Sequence, residues 1–315
     1  MAVINLISEK YERFSYCDQP NFRIGGGAMG EVFKGWKTDS PNEKVAIKRV
    51  YPRHAENPTI RSRAKYEASL SIDHPNLIKM LGYCEIPKSN GKGPIWIVSD
   101  FVNGNVISKI IETVEPSFKV VVASRMICSV CDALSCLHSQ TPPVYHRDIK
   151  PSNIMVENGR NVRVMDLGIA TSDGHSFGTI EGKGFGTYPY APPEQILGHR
   201  DKVNQTSDIY SLGVTFYELL TNINPFAEGS DYDIIEKQVK MDLPYNDLIP
   251  KQLFKVISKA TEKEQKNRYQ SAEIFKLAIQ NALAEPKPKN YLPIVAVASV
   301  VLSIILLLIL LILKK

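Results

Sequence analysis

Tyr145-His-Arg-Asp-Ile-Lys-Pro-Ser-Asn-Ile154 is the stretch that decides the reading, with Met165-Asp-Leu-Gly168 starting eleven positions beyond its end. Two carboxylates (Asp148, Asp166), a lysine (Lys150) and an amide (Asn153) fall close together. Each alone has a commoner explanation, as a turn aspartate or a helix-capping asparagine. Working outward, Arg23-Ile-Gly-Gly-Gly-Ala-Met-Gly-Glu-Val32 contains GxGxxGxV, in which Gly25, Gly27 and Gly30 let the backbone close over phosphate oxygens. A glycine-rich turn by itself also suits a dinucleotide-binding fold. Val45-Ala-Ile-Lys48 then sets a lysine on a strand-like run, where its ammonium could hold the phosphates of a nucleotide. A lone strand lysine is usually a solvated surface residue, so the weight lies on the ordered set.

In that order the motifs resemble the signature of eukaryotic-type serine/threonine protein kinases, bacterial ones included, over roughly Phe22 to Leu283. The resemblance implies an α+β, two-lobed fold, with a small β-rich lobe to about residue 102 and a larger helical lobe over 103–284. The residues agree: Val45–Val50 and Ile95–Val102 read as strands, Ser207–Thr221 as a buried helix. By the same resemblance the substrates are ATP and protein Ser/Thr hydroxyls, and the metal is Mg2+, with Mn2+ as a substitute. Asp148 would accept the acceptor hydroxyl's proton, Asn153 and Asp166 would hold the metal, and Lys150 would neutralise the phosphate in flight. Ile24, Val32 and Ala46 would roof the adenine and Met155 floor it, with backbone groups of Asp100 and Val102 reading the base. Pro192-Pro-Glu194 resembles the family's APE, and Glu194 would pair with Arg268. Asp208 would tie the catalytic loop to a central helix; a simple helix-capping aspartate is its plainer alternative. Lys150, two positions past the base, and Thr187 in Gly186-Thr-Tyr-Pro-Tyr190 are the serine/threonine form of the pattern.

Three departures follow from the same alignment. The helix glutamate expected to pair with Lys48 falls, by spacing, on Lys65, and the nearest acid is Glu67. Two residues turn a helix by about 200°, so Glu67 meets Lys48 only if the helix is shorter or shifted. Leu167 stands where the family has an aromatic, which predicts an altered on/off balance with Asp166 intact. Ser99 is a small residue behind the adenine, which predicts an open rear to the pocket. Regulation is expected through Arg147, which would bind a phosphate formed by autophosphorylation on the segment 166–194, first of all on Thr179, with Thr187 positioning substrate. The competing reading is a membrane-tethered pseudokinase acting as a nucleotide-binding scaffold; a small-molecule phosphotransferase fits the glycine loop and PPE segment poorly.

Leu292–Leu313 carries no charge and contains seventeen Leu, Ile and Val residues. As a helix it would be about 33 Å long against a hydrocarbon core of roughly 30 Å, with an insertion free energy of roughly −5 kcal/mol. The expected organisation is a 1–21 extension, a 22–284 kinase domain, a proline-stiffened linker at 285–290, a transmembrane helix at 291–313 and a two-residue tail. Lysines flank both ends of the span, so charge does not orient it; use of ATP would put the domain in the cytoplasm, close to the lipid bilayer. The net charge of +5 falls to +2 before Glu285, with no dense basic run, which argues against a nucleic-acid partner. Five cysteines, an odd number, fit reduced thiols better than a disulfide scaffold. Cys128-x-x-Cys131 lies in the helix-like run Phe118–His138 with no second pair to complete a zinc site. Met1–Lys10 does not read as a secretory signal, and oligomeric state is left open: the span has no GxxxG pattern.

Overall fold

The computed structural model describes residues 3–27, 29–86, 93–166 and 188–284. Its strands are β1 (Val3–Ile7), β2 (Arg13–Cys17), β3 (Arg23–Gly26), β4 (Gly30–Lys37), β5 (Ser40–Val50), β6 (Met80–Glu85), β7 (Ile95–Asp100), β8 (Gly104–Val106), β9 (Ile154–Glu157) and β10 (Asn161–Val164). The helices are α1 (Pro52–Ala55), α2 (Pro58–Ser69), α3 (Ile107–Glu112), α4 (Pro116–His138), α5 (Pro193–Ile196), α6 (Gln205–Thr221), α7 (Asp231–Lys240), α8 (Lys251–Ala260) and α9 (Ala272–Leu283).

The small lobe follows from strand alternation. Its antiparallel sheet runs β1-β2-β4-β5-β7-β6, with β3 also paired to β4. Phe33 lies opposite Ile47, and Ile47 opposite Val98. This row, with Phe14, Tyr16 and Trp96, fills the inner face as an apolar core. The buried Trp96 indole N–H donates to the Tyr16 hydroxyl at 3.1 Å, so the core leaves neither polar group stranded. The adjacent row, Val32–Lys48–Ile97, faces the other way because successive side chains alternate. Residues 1–21, expected as an extension, supply β1 and β2 to this same sheet. A Ser8–Cys84 bridge and the Glu9 N–H to Tyr83 carbonyl bond (3.1 Å) join the end of β1 to β6, closing the row on itself and covering its edges.

Helix α2 begins where Asn57 accepts from the N–H groups of Thr59 and Ile60, with Pro58 in the first turn. Its Ala64 and Ala68 are small enough to seat the helix on Met80, Ile95 and Ile97 of the sheet. In the helical lobe, α6 is buried along nearly its whole length and packs against α4 and α8. It starts from an Asn204 capping box, so Asp208 lies inside the helix and is not its cap. Helix α4 is the one among the described residues long and apolar enough to cross a membrane; here it serves as a core helix against α6, with Ile127, Val130, Leu134 and Leu137 fully buried. Cys131 is buried in the same helix. The chain divides into two units, Met1–Ala282 and Leu283–Lys315, and the span expected at 291–313 lies outside the described residues.

Candidate active site

The loop between α4 and β9 is held by one carboxylate. Asp208, fully buried in α6, accepts the backbone N–H groups of His146 (2.9 Å) and Arg147 (2.7 Å) and contacts the His138 ring at 2.8 Å. Burial alone would raise its pKa, but these donors outweigh it and hold the carboxyl below its ordinary range. His146 donates from Nε2 to the Met165 carbonyl (2.9 Å), tying this loop to the strand end that carries Asp166. Arg147 (φ +66°) and Asp166 (φ +49°) both adopt left-handed backbone, strain that is commonly retained where side chains must be aimed.

Within the loop, the Asn153 amide donates to the Asp148 carbonyl (2.8 Å) and to Asp148 Oδ2 (2.9 Å), which also meets the Lys150 ammonium at 2.9 Å. Asp148 Oδ1 is buried with no hydrogen-bond partner among the described residues. An orphaned carboxylate oxygen is costly unless something is to bind it, so this atom marks the place for an incoming donor.

The opposite wall is the Val32–Lys48 row. The Lys48 ammonium lies 2.9 Å from Asp166 Oδ1. Lys48 chiefly holds the Asp166 carboxyl below its usual range. Burial would lower the Lys48 ammonium, but Asp166 and Glu67 outweigh it and the net shift is upward. Glu67 is buried on α2 at 4 % exposure, while Lys65 is exposed; the inward face of the helix therefore carries the acid, which feels the charge of Lys48. No ion pair joins them among the described residues. Burial pushes the Glu67 carboxyl up to about 7, against the pull of Lys48.

The β3–β4 turn carries the glycines. A Cβ on Gly30 would stand 2.2 Å from the Arg49 carbonyl oxygen, so the strand pairing itself demands glycine there. One on Gly27 would meet nothing within 4 Å. Glycine is thus sterically required at Gly30 and not at Gly27. Gly25, Val32, Lys48 and Ile97 form one lateral row; Ala46, Ser99 and Met80 form the next on the same face. Ile24 is half exposed on β3, Met155 sits on β9 in the other lobe, and Asp100 and Val102 fall at and just after the end of β7. Beyond Met80 lies an apolar cavity of about 10 Å³ lined also by Leu70, Leu77, Leu137 and Val164. Leu167, Thr179 and Thr187 lie outside the described residues.

Glu194 and Arg268 form a buried two-pronged pair at 2.8 and 2.9 Å, and Ser207 donates to the same carboxylate at 2.6 Å. Sequence reasoning missed three supporting residues. His138 steadies Asp208, and Gln195 donates to the Arg147 carbonyl at 2.9 Å. Arg63, one helical turn before Glu67, is buried, and its basicity is lowered by burial and by neighbouring Arg147 and Arg200.

With a paired carboxylate–amide–lysine loop facing a strand lysine and a second aspartate, comparison with known proteins is decisive. The protein kinase domain model matches residues 19–278. The chain belongs to the protein kinase family. As a kinase domain it is 33 % identical over 261 residues to the probable serine/threonine-protein kinase PknB of Corynebacterium glutamicum, covering 79 % of this chain and 39 % of that protein. It is 30 % identical over 268 residues to the serine/threonine-protein kinase PrkC of Bacillus subtilis (82 % and 39 %). It is 29 % identical over 282 residues to the tyrosine-protein kinase MasK of Myxococcus xanthus (84 % and 42 %). The chain thus spans about two fifths of the length of these curated relatives. Membership implies ATP and a divalent metal ion. The residues fit: Asp166 and Asn153 are hard oxygen donors, and no group of three or more His, Cys, Asp or Glu forms a closed cage among the described residues. Few protein oxygens completed by phosphate and water is the set a magnesium ion takes.

Proposed function

We propose that this chain is a serine/threonine protein kinase that transfers the γ-phosphate of ATP to protein hydroxyls at a membrane. The observation that carries the reading is the unsatisfied Asp148 Oδ1, held beside Lys150 and Asn153. An acceptor hydroxyl donating to that oxygen would satisfy it and be oriented for attack, the proton passing to Asp148 as the new O–P bond forms and the bond to the leaving diphosphate breaks. Lys150 would offset the charge on the transferring group, and Lys48 would hold the nucleotide's phosphates under the Gly25–Gly30 turn. Mg2+, bound through Asp166 and Asn153, would neutralise phosphate charge; the rest is positioning by this chain's own residues.

Serine/threonine acceptors are favoured by Lys150 and Thr187 and by the names of PknB and PrkC; MasK is named a tyrosine kinase. Incubation of the purified full chain with labelled ATP and a mixed acceptor such as dephosphorylated casein, followed by phosphoamino-acid analysis, tests this. Phosphoserine and phosphothreonine are expected; phosphotyrosine alone overturns the acceptor class. The run 291–313 supports single-pass anchoring, and use of ATP would put the domain in the cytoplasm; anchoring is tested by flotation with vesicles before and after replacing Leu306 and Leu308 by lysine. Autophosphorylation on Thr179 would bring a phosphate to Arg147, whose buried Nε has no partner among the described residues and whose neighbours Arg63 and Arg200 add positive charge. The pseudokinase reading draws on one observation: Lys48 is engaged by Asp166 and not by Glu67.

A further inference from the structure

A second polar chain lies away from the catalytic loop. The Lys263 ammonium donates to the Tyr210 hydroxyl at 2.9 Å, and that hydroxyl donates to Gln238 Oε1. Gln238, fully buried on α7, donates from Nε2 to the carbonyls of Tyr188 and Pro189. The direction of every bond is forced. An ammonium can only donate, so the hydroxyl must accept from it and pass its own proton to the amide oxygen, leaving the amide nitrogen for the two carbonyls.

Those carbonyls belong to the tight turn Tyr188–Tyr190, which leads into α5. The Tyr188 carbonyl also accepts the Ala191 N–H at 3.1 Å, whereas the Pro189 carbonyl takes its donors from side chains of α7 and the segment after α6. Asn224 gives Pro189 a second donor at 3.3 Å. The turn is tied to the catalytic loop through α5, whose Gln195 donates to the carbonyl of Arg147, the residue before Asp148, at 2.9 Å.

We infer that Gln238 is a positioning residue for the protein acceptor, with Lys263 and Tyr210 orienting its amide so that the Tyr188–Tyr190 turn presents a fixed surface beside Asp148. The inference rests on the proposed kinase reading. It adds a pH response. Lys263 faces the rings of Tyr210 (5.2 Å) and Phe226 (4.9 Å), with Asp242, Glu262 and Arg268 around it. Burial lowers its pKa to about 8, the two acids pulling upward and Arg268 downward. Below that pH the ammonium makes the Tyr210 hydroxyl donate to Gln238 Oε1; above it the neutral amine can itself accept from the hydroxyl, and the amide is then held by the two carbonyls alone.

The test uses the full chain, with dephosphorylated casein as acceptor, and compares wild type, Gln238→Leu and Lys263→Met. Gln238→Leu removes all three side-chain bonds and is expected to raise the casein KM about tenfold as the turn loses its fixed position, while the ATP KM stays within about twofold. Wild type should show a casein KM that climbs between pH 7 and 9, and Lys263→Met should flatten that climb. Hydrogen exchange over residues 188–196 should quicken in both variants. Should wild type transfer no phosphate, the kinase reading fails, while the exchange data still judge the relay. Should Gln238→Leu not fold, Lys263→Met decides alone. An unchanged exchange rate together with an unchanged casein KM, or ATP and casein KM rising in step, overturns the inference.

Discussion

Replacing Glu67 by glutamine should stabilise the protein at alkaline pH and impair it as an enzyme. In the structure the Glu67 carboxyl is buried, short of an ion pair with Lys48, and its pKa is raised from 4.5 to about 7. The unfolded chain releases that proton near the ordinary value, the folded one only near neutrality. Between those points the folded state binds more protons, so stability falls as pH rises and the loss is complete above about pH 7. The difference corresponds to about 3 kcal/mol. Glutamine keeps the shape and never ionises. At pH 5 the two proteins should therefore melt within about 2 °C of each other; at pH 8.5 the variant should melt higher by roughly 5–10 °C, taking about 2–3 °C per kcal/mol for a domain of this size. If Glu67 must meet Lys48 during turnover, kcat should drop in the same variant. The assay is thermal unfolding of the nucleotide-free full chain at both pH values, with phosphate transfer in parallel. Melting curves that keep the same offset at pH 5 and 8.5 would refute the assignment of Glu67 as a buried, reluctant acid.

Other perturbations separate structure from chemistry. Gly30→Ala should lower Tm sharply, because its Cβ would strike the Arg49 carbonyl, whereas Gly27→Ala should leave Tm unchanged and raise only the ATP KM. Asp208→Ala strands two buried N–H groups and the His138 ring, and should destabilise the protein by about 3–5 kcal/mol, read by urea unfolding at pH 7. The contribution of Asp208, whose pKa is depressed, is full above the ordinary carboxylate range and fades as pH falls below it. The native protein should bind N6-benzyl-ATP, and Ser99→Met should weaken that binding without weakening ATP itself; equal affinity in both proteins would dismiss an open rear pocket.

Legibility in the sequence followed locality. Asp148, Lys150 and Asn153 are fixed by one short turn and Lys48 by one strand, so contiguous residues carried their roles. Ala46 and Ser99 were placed by the family resemblance, and the strand register sets them opposite each other on the face that carries Lys48. Glu67 stayed ambiguous because spacing alone does not say which face of the helix packs inward; the seating of Ala64 and Ala68 on the sheet decides it. Strands β1 and β2 pair with each other, but each is a five-residue run, and what fixes them in the sheet is β4 beside β2 and β6 beside the end of β1, which the local pattern does not show. The Lys263–Tyr210–Gln238 relay joins residues that only the packing of α6, α7 and the turn at Tyr188 brings together.

The central claim is that Asp148 receives the acceptor's hydroxyl in a pocket that binds ATP without its help. Asp148→Asn changes one oxygen for an amide of the same size, so ATP affinity and Tm should match wild type while phosphate transfer to casein falls at least a thousandfold, about 4 kcal/mol of transition-state stabilisation. Transfer by Asp148→Asn at a rate near that of wild type would contradict the account.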